Sequence, residues 1–419
     1  MNSTLILPVA IMMGSSLAMK SYFKSWLAPG AFFSGIWTFF VIMPIIFAPS
    51  YPIYSFGLWV IVINMFAVGV GAMFGSQFSL ASISGKQDRE IDVFRSMVLI
   101  THIFILMSFI GVIFLFFFGV SRFSLTNSLL DFLILPNQFS MDRYHGAVVI
   151  PPAVRTMMYL VYPASLMGGI TFDSINSKWG KSLLLLPIFV AVFYAFLLTT
   201  RSTILLSMIL WFSGWLTMKF YWIKVKKQKN RFKSIILSII VMIVFTGIFV
   251  ITAWLRNAGG ELFLDSVVEN VSAYFFGYLS SFTQWIQMYH QNGMTFGLVT
   301  FAGPADLLGL TERDLGFYNE ISILGTAHTN IFTALRGIIH DFTIIGGFLF
   351  FGVMGLIASV ATKEIQSKNY LWIVPLSAFY AFTLYSPLIS IFNYNSILFS
   401  WVIMAIIMIS TPMIKRIIH

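Results

Sequence analysis

The sequence predicts an all-α, polytopic membrane protein, one integral membrane domain over residues 1–419, and three observations carry that prediction. Hydrophobic residues make up 58% of the chain and charged residues only 10%, whereas a soluble protein carries about a quarter charged. Apolar runs nearly free of charge recur at the length a helix needs to cross a bilayer, about 20 residues, and mean hydropathy is +0.88. Short segments of alternating polarity, which mark a membrane β-barrel, do not recur, so helices must satisfy the backbone in lipid. The absence of cysteine excludes disulfides, thiolate metal sites and cysteine nucleophiles.

About eleven transmembrane helices are expected, over 4–19, 31–48, 56–75, 97–120, 156–172, 182–200, 202–218, 234–255, 342–361, 370–390 and 395–413. The first run lacks a basic n-region and an obvious cleavage site and reads as a retained span. Pro49 and Pro52 mark the turn between the second and third spans, and Ala67, Gly71 and Gly75 form a small-residue stripe suited to helix packing. Arg201 alone separates the sixth span from the seventh, and no internal repeat is present.

Orientation follows from the basic residues, which concentrate in cytoplasmic loops. The loop 219–233 holds seven basic residues and no acid, which makes it cytoplasmic. Parity then places the N-terminus outside and the C-terminus inside, with 18 basic residues inside and seven outside. All 14 lysines fall inside, and the seven outer residues are all arginine: Arg122, Arg143, Arg155, Arg201, Arg256, Arg313 and Arg336. The pI of about 9.6 therefore reflects topology and attraction to anionic membrane lipids; it does not point to nucleic acid. A guanidinium grips phosphate oxygens with a planar fork that an ammonium lacks, so this bias suits a phosphate held at the outer face. The alternative is that lysines serve topology while outer arginines pair with outer acids.

Two outer loops are long. The first, 121–155, contains Asp142-Arg143-Tyr144-His145; the second, 256–341, holds eight of the ten outer carboxylates and is the expected seat of an active site. Within it 261–289 reads as helical, interfacial or re-entrant. Glu261, Asp265 and Glu269 lie on one face there, and Tyr274, Phe275, Phe276, Tyr278, Phe282 and Trp285 are free to meet lipid or sugar. A turn-rich cap with Gly293, Gly297, Gly303, Gly309 and Gly316 follows. If 330–339 is helical, Asn330, Thr333 and Arg336 or Gly337 share a side, with His340 and Asp341 at the membrane surface. Asp341 precedes the ninth span, where it suits an N-cap. Arg201 reads as a site residue or a snorkelling anchor, and His102 as a packing residue. His145, His290, His328 and His340 are available as general bases, but their spacing is not that of metal ligands, and no phosphate-binding loop or nucleophile elbow is present.

The pattern Thr329-Asn330-Ile331-Phe332-Thr333, then His340-Asp341-Phe342 and Gly346, after a long outer loop, resembles the O-antigen polymerase (Wzy) type of oligosaccharide repeat unit polymerase. Thr199-Thr200-Arg201-Ser202 before a span resembles it too. Many members of that family read Asp-Phe-Gly where this chain has Asp341-Phe342-Thr343. The resemblance implies a GT-C-like glycosyltransferase of the cytoplasmic (inner) membrane, acting in lipopolysaccharide or other surface polysaccharide biosynthesis. A growing glycan would leave its undecaprenyl pyrophosphate carrier and join the next lipid-linked repeat unit. It implies no cofactor and no metal, arginines taking the metal's place, and a chain-length regulator as a partner beside the lipid-linked oligosaccharide. On this reading Arg201 and Arg336 contact pyrophosphate, followed by Arg143, Arg256 and Arg313. His328 and Asp341 lead as bases, followed by His145 and His340, while Asn330, Thr333, Tyr274, Tyr278 and Trp285 meet sugar or lipid. A flippase for the same units would show evenly short loops, paired halves and charged spans, which this sequence lacks. A ligase shares donor and loop, and the sequence does not separate it from a polymerase.

Overall fold

The computed structural model describes residues 3–78, 88–120, 142, 149–198, 200–225, 247, 263–290, 293–312, 318, 320–325 and 327–418. The chain is mostly helical. Helices α1 (Ser3–Phe23), α2 (Pro29–Phe47), α3 (Ser55–Gly75) and α4 (Asp88–Val120) come first, then α5 (Pro152–Tyr159), α6 (Val161–Thr171), α7 (Lys178–Leu183), α8 (Leu186–Leu198) and α9 (Arg201–Val225). After α10 (Phe263–Met288) and α11 (Ala302–Leu307) comes a hairpin of β1 (Ser322–Leu324) and β2 (Ala327–Thr329). Helices α12 (Ala334–Gln366), α13 (Ile373–Tyr385) and α14 (Asn395–Ile418) complete the series. Six segments among the described residues are long and apolar enough to cross a membrane: α1, α2, α3, Val93–Phe117, Lys178–Leu198 and α12. All of the expected eighth span, 234–255, except residue 247, and most of loops 121–155 and 219–233 lie outside the described residues.

Prolines explain where helices start and break. Pro29 opens α2, where its missing N–H costs nothing. The expected fifth span divides at Leu160, because a continuous helix would drive the Pro163 ring into the carbonyl four residues earlier; Pro187 acts likewise between α7 and α8. A break does fall before Arg201: α8 ends at Leu198, α9 begins at Arg201, and the Thr200 hydroxyl between them lies 3.1 Å from that of Thr203.

The chain divides into two compact units, where the sequence reads as one domain: Met1–Gly85 with Glu269–Leu398, and Lys86–Val268 with Phe399–His419. In the first, α3 lies against α12, a helix some two hundred and sixty residues later. A Cβ at Gly71 would fall 1.9 Å from the Gly352 carbonyl oxygen, and one at Gly75 would fall 2.4 Å from that of Leu356. The small-residue stripe is therefore a backbone-to-backbone contact. Phe33, Trp37, Phe351, Phe379 and Phe382 fill the core beside it. In the second unit Gly169 and Gly214 bring α6 and α9 equally close.

Helix α10 departs from the expectation of an aromatic face free for sugar or lipid. Its buried side carries Ala273, Tyr278, Leu279 and Phe282, and Tyr278 donates to the Phe40 carbonyl at 2.6 Å. Ser280 donates to Pro52, and Tyr51 to Ser272, so this helix is tied to the α2–α3 turn. The hairpin, a small exception to the all-α class, pairs Ile323 with His328 and sets Leu324 and Ala327 against Ala273.

Candidate functional site

Helix α12 places the site. It begins later than the sequence suggests: 330–333 is not helical, Thr333 takes the N-cap position with extended backbone and the Ala334 N–H donates to the Ser386 carbonyl. The helix then breaks at Thr343, whose φ of 68° and ψ of 177° are not helical, and resumes with the Gly346 N–H donating to Thr343 Oγ1. The cap of the apolar segment is thus Thr343, and Asp341, expected in that role, does something else.

Asp341 is fully buried. Its Oδ1 accepts from Thr295 Oγ1 at 2.5 Å and from the Val299 N–H at 3.1 Å, and its Oδ2 accepts from the Thr300 N–H at 2.6 Å. The Phe296 N–H, from a residue at φ 49°, donates to the Asp341 carbonyl. These bonds pin the turn 295–300 to α12. Thr295 also reaches the half-buried His340, Oγ1 to Nδ1 at 3.2 Å. The Thr295 hydroxyl has one proton and gives it to Asp341 Oδ1, so toward His340 it acts as acceptor, from Nδ1–H. That arrangement leaves the lone pair of His340 on Nε2.

One turn earlier, at the i, i+4 spacing from His340, lies Arg336. Its guanidinium carbon is 3.8 Å from the Tyr318 ring centroid, 4.1 Å from Phe332 and 5.2 Å from Trp285. Nη2 donates to Glu320 Oε2 at 2.8 Å, whereas Nη1 is buried and has no partner among the described residues. The buried hydroxyls of Thr300 and Thr333 also lack one among the described residues. Burial holds the Tyr318 phenol well above its ordinary range, opposed by Arg336 and reinforced by Asp341 and Glu320. Tyr289, which donates to the Ile339 carbonyl, is raised by burial and then by Asp341. Both phenols therefore stay protonated at neutral pH.

Of the other expected site residues, Trp285 alone among those described joins the contacts of Arg336. His328 is exposed on β2, opposite in direction to the buried Ala327 and Thr329. Tyr278 is core and Tyr274 half-buried beside Phe275; Trp285 joins the Arg336 box, and Asn330 is half-buried just before it. Arg201 opens α9 in the other unit. His145, Arg143, Arg256 and Arg313 lie outside the described residues. An apolar cleft of about 430 Å³ between α1 and α2, lined by Met13, Leu17, Trp26 and Phe32, contains none of these groups.

Sequence reasoning missed Thr295, Tyr318, Glu320 and Phe332. Phe332 precedes the helix that carries Arg336, so no helical spacing announced their contact. Thr295 and Tyr318 carry no local signal. No protein-family model, curated protein or solved structure matches the chain.

Proposed function

We propose that this chain polymerises undecaprenyl-pyrophosphate-linked oligosaccharide repeat units by glycosyl transfer at the outer face of the cytoplasmic membrane. The observation that carries the reading is the pairing, four residues apart on one helix, of a fixed guanidinium with a spare N–H edge and an imidazole oriented by Thr295 and Asp341. The motif resemblance through Thr329 to Phe342 falls on this same segment. The exposed Leu307, Leu308 and Leu310 of the neighbouring cap suit a substrate with a polyprenyl tail.

In the reaction the bond between the anomeric carbon of the donor glycan and the pyrophosphate oxygen breaks. A bond from the acceptor hydroxyl oxygen to that carbon forms. The hydroxyl proton passes to His340 Nε2, and the lipid pyrophosphate departs with its electron pair. Arg336, already desolvated and held by aromatic rings, stabilises the charge that grows on the leaving group without reorganising. His340 is the general base and Asp341, through Thr295, is a positioning residue.

Deleting the gene in its host and resolving surface polysaccharide and lipid-linked intermediates on a gel tests the reading. Collapse of the ladder to core bearing a single repeat unit is expected. Loss of that single unit as well would replace the reading with a ligase if lipid-linked material gathers in the outer leaflet, or a flippase if it gathers in the inner one.

A further inference from the structure

Arg336 and Glu320 form an unequal pair. The arginine side chain is 7% exposed and fixed between rings, whereas that of Glu320 is 67% exposed. The contact uses Nη2 alone, one of the five N–H bonds a guanidinium offers. Nη1 is buried beside it without a described partner. On the same side of α12, a Cβ at Gly337 would lie 3.4 Å from the Tyr318 hydroxyl and 3.8 Å from Thr300 Oγ1, and Thr333 precedes Gly337 by one turn. More donors thus converge here than one carboxylate uses, and two of the hydroxyls are without described partners.

We infer that Glu320 is a built-in stand-in for the substrate's anion, occupying one edge of Arg336 until a pyrophosphate displaces it, and that the exchange rejects ligands bearing a single carboxylate. This rests on the reading that Arg336 meets pyrophosphate. A carboxylate tethered 16 residues from its partner acts at an effective concentration of about millimolar or above. A free monocarboxylate offers nothing better at the same edge. Pyrophosphate brings more charge and enough acceptor oxygens to engage Nη1 and Nη2 together.

Isothermal titration of the full chain in nanodiscs with inorganic pyrophosphate, and separately with glucuronate, tests this. For wild type, pyrophosphate binding and no glucuronate binding are expected. Glu320→Gln should tighten pyrophosphate by up to about fivefold, the upper range for removing a partly exposed ion pair, and admit glucuronate. Glu320→Ala should act in the same direction, and adding Arg336→Gln should abolish both. Arg336-dependent pyrophosphate binding that is unchanged or weakened in both Glu320 variants would overturn this inference alone. Failure of pyrophosphate to bind wild type and Glu320→Gln, or binding that survives the loss of Arg336, would overturn the proposed function with it.

Discussion

At position 343 the backbone takes φ 68° and ψ 177°, a region almost reserved for glycine, yet the residue is a buried, β-branched threonine. The break it makes turns Asp341 away from the apolar segment and onto the 295–300 turn. Such a conformation costs about 1–3 kcal/mol in a residue with a Cβ, while exchanging a threonine cap for glycine costs only a few tenths of that unit. Thr343→Gly should therefore stabilise the protein by about 1–2 kcal/mol and raise its thermal midpoint in detergent; a lower midpoint would show that the side chain contributes more than its cap. The sequence hinted at this position, since the resemblance has glycine where this chain has threonine. It did not show that Asp341 would be consumed by three donors, because Thr295, Val299 and Thr300 approach from more than 40 residues away. For the same reason the exposure of His328 was not legible: on a two-stranded hairpin it is decided by pairing register, and no periodicity announced those three-residue strands.

Among the elements, the helices were the most legible part of the chain. Charge-free length marked α1, α2, α3 and the apolar part of α12 to within a few residues, because a bilayer leaves an apolar segment no other way to satisfy its backbone. The splits at Leu160 and beside Pro187 were less so; a proline in a hydrophobic run can bend a helix or end it, and neighbouring contacts decide. The stripe of Ala67, Gly71 and Gly75 was readable as a packing face, though its partner was not. With Gly352 and Leu356 carbonyls directly opposite, Gly71→Ala must push α3 and α12 apart. Overpacking of this kind costs about 1–3 kcal/mol, so the thermal midpoint should fall by several degrees. An unchanged midpoint would mean that the two helices are not in backbone contact.

For the molecule as a whole, composition established a multi-pass helical membrane protein, and the structure adds what composition cannot carry: a division into two units, the first joining Met1–Gly85 to Glu269–Leu398 across a long intervening stretch of chain. Arg336 illustrates the limit. Its type and loop position made it a candidate, but the aromatic box of Tyr318, Phe332 and Trp285 and the exposed Glu320 depend on tertiary packing that spans 51 residues. The central claim is that this fixed guanidinium drives departure of a lipid pyrophosphate while His340 takes the acceptor's proton. The most direct measurement is polymer formation by the purified chain in nanodiscs, supplied only with the lipid-linked repeat unit. Wild type should yield a glycan ladder with release of undecaprenyl pyrophosphate, and His340→Gln should be slower by about 10²–10⁴-fold. Arg336→Lys, which keeps the charge but not the fork, should yield no ladder. A wild-type ladder from Arg336→Lys, or no polymer from the wild-type protein, would contradict the account.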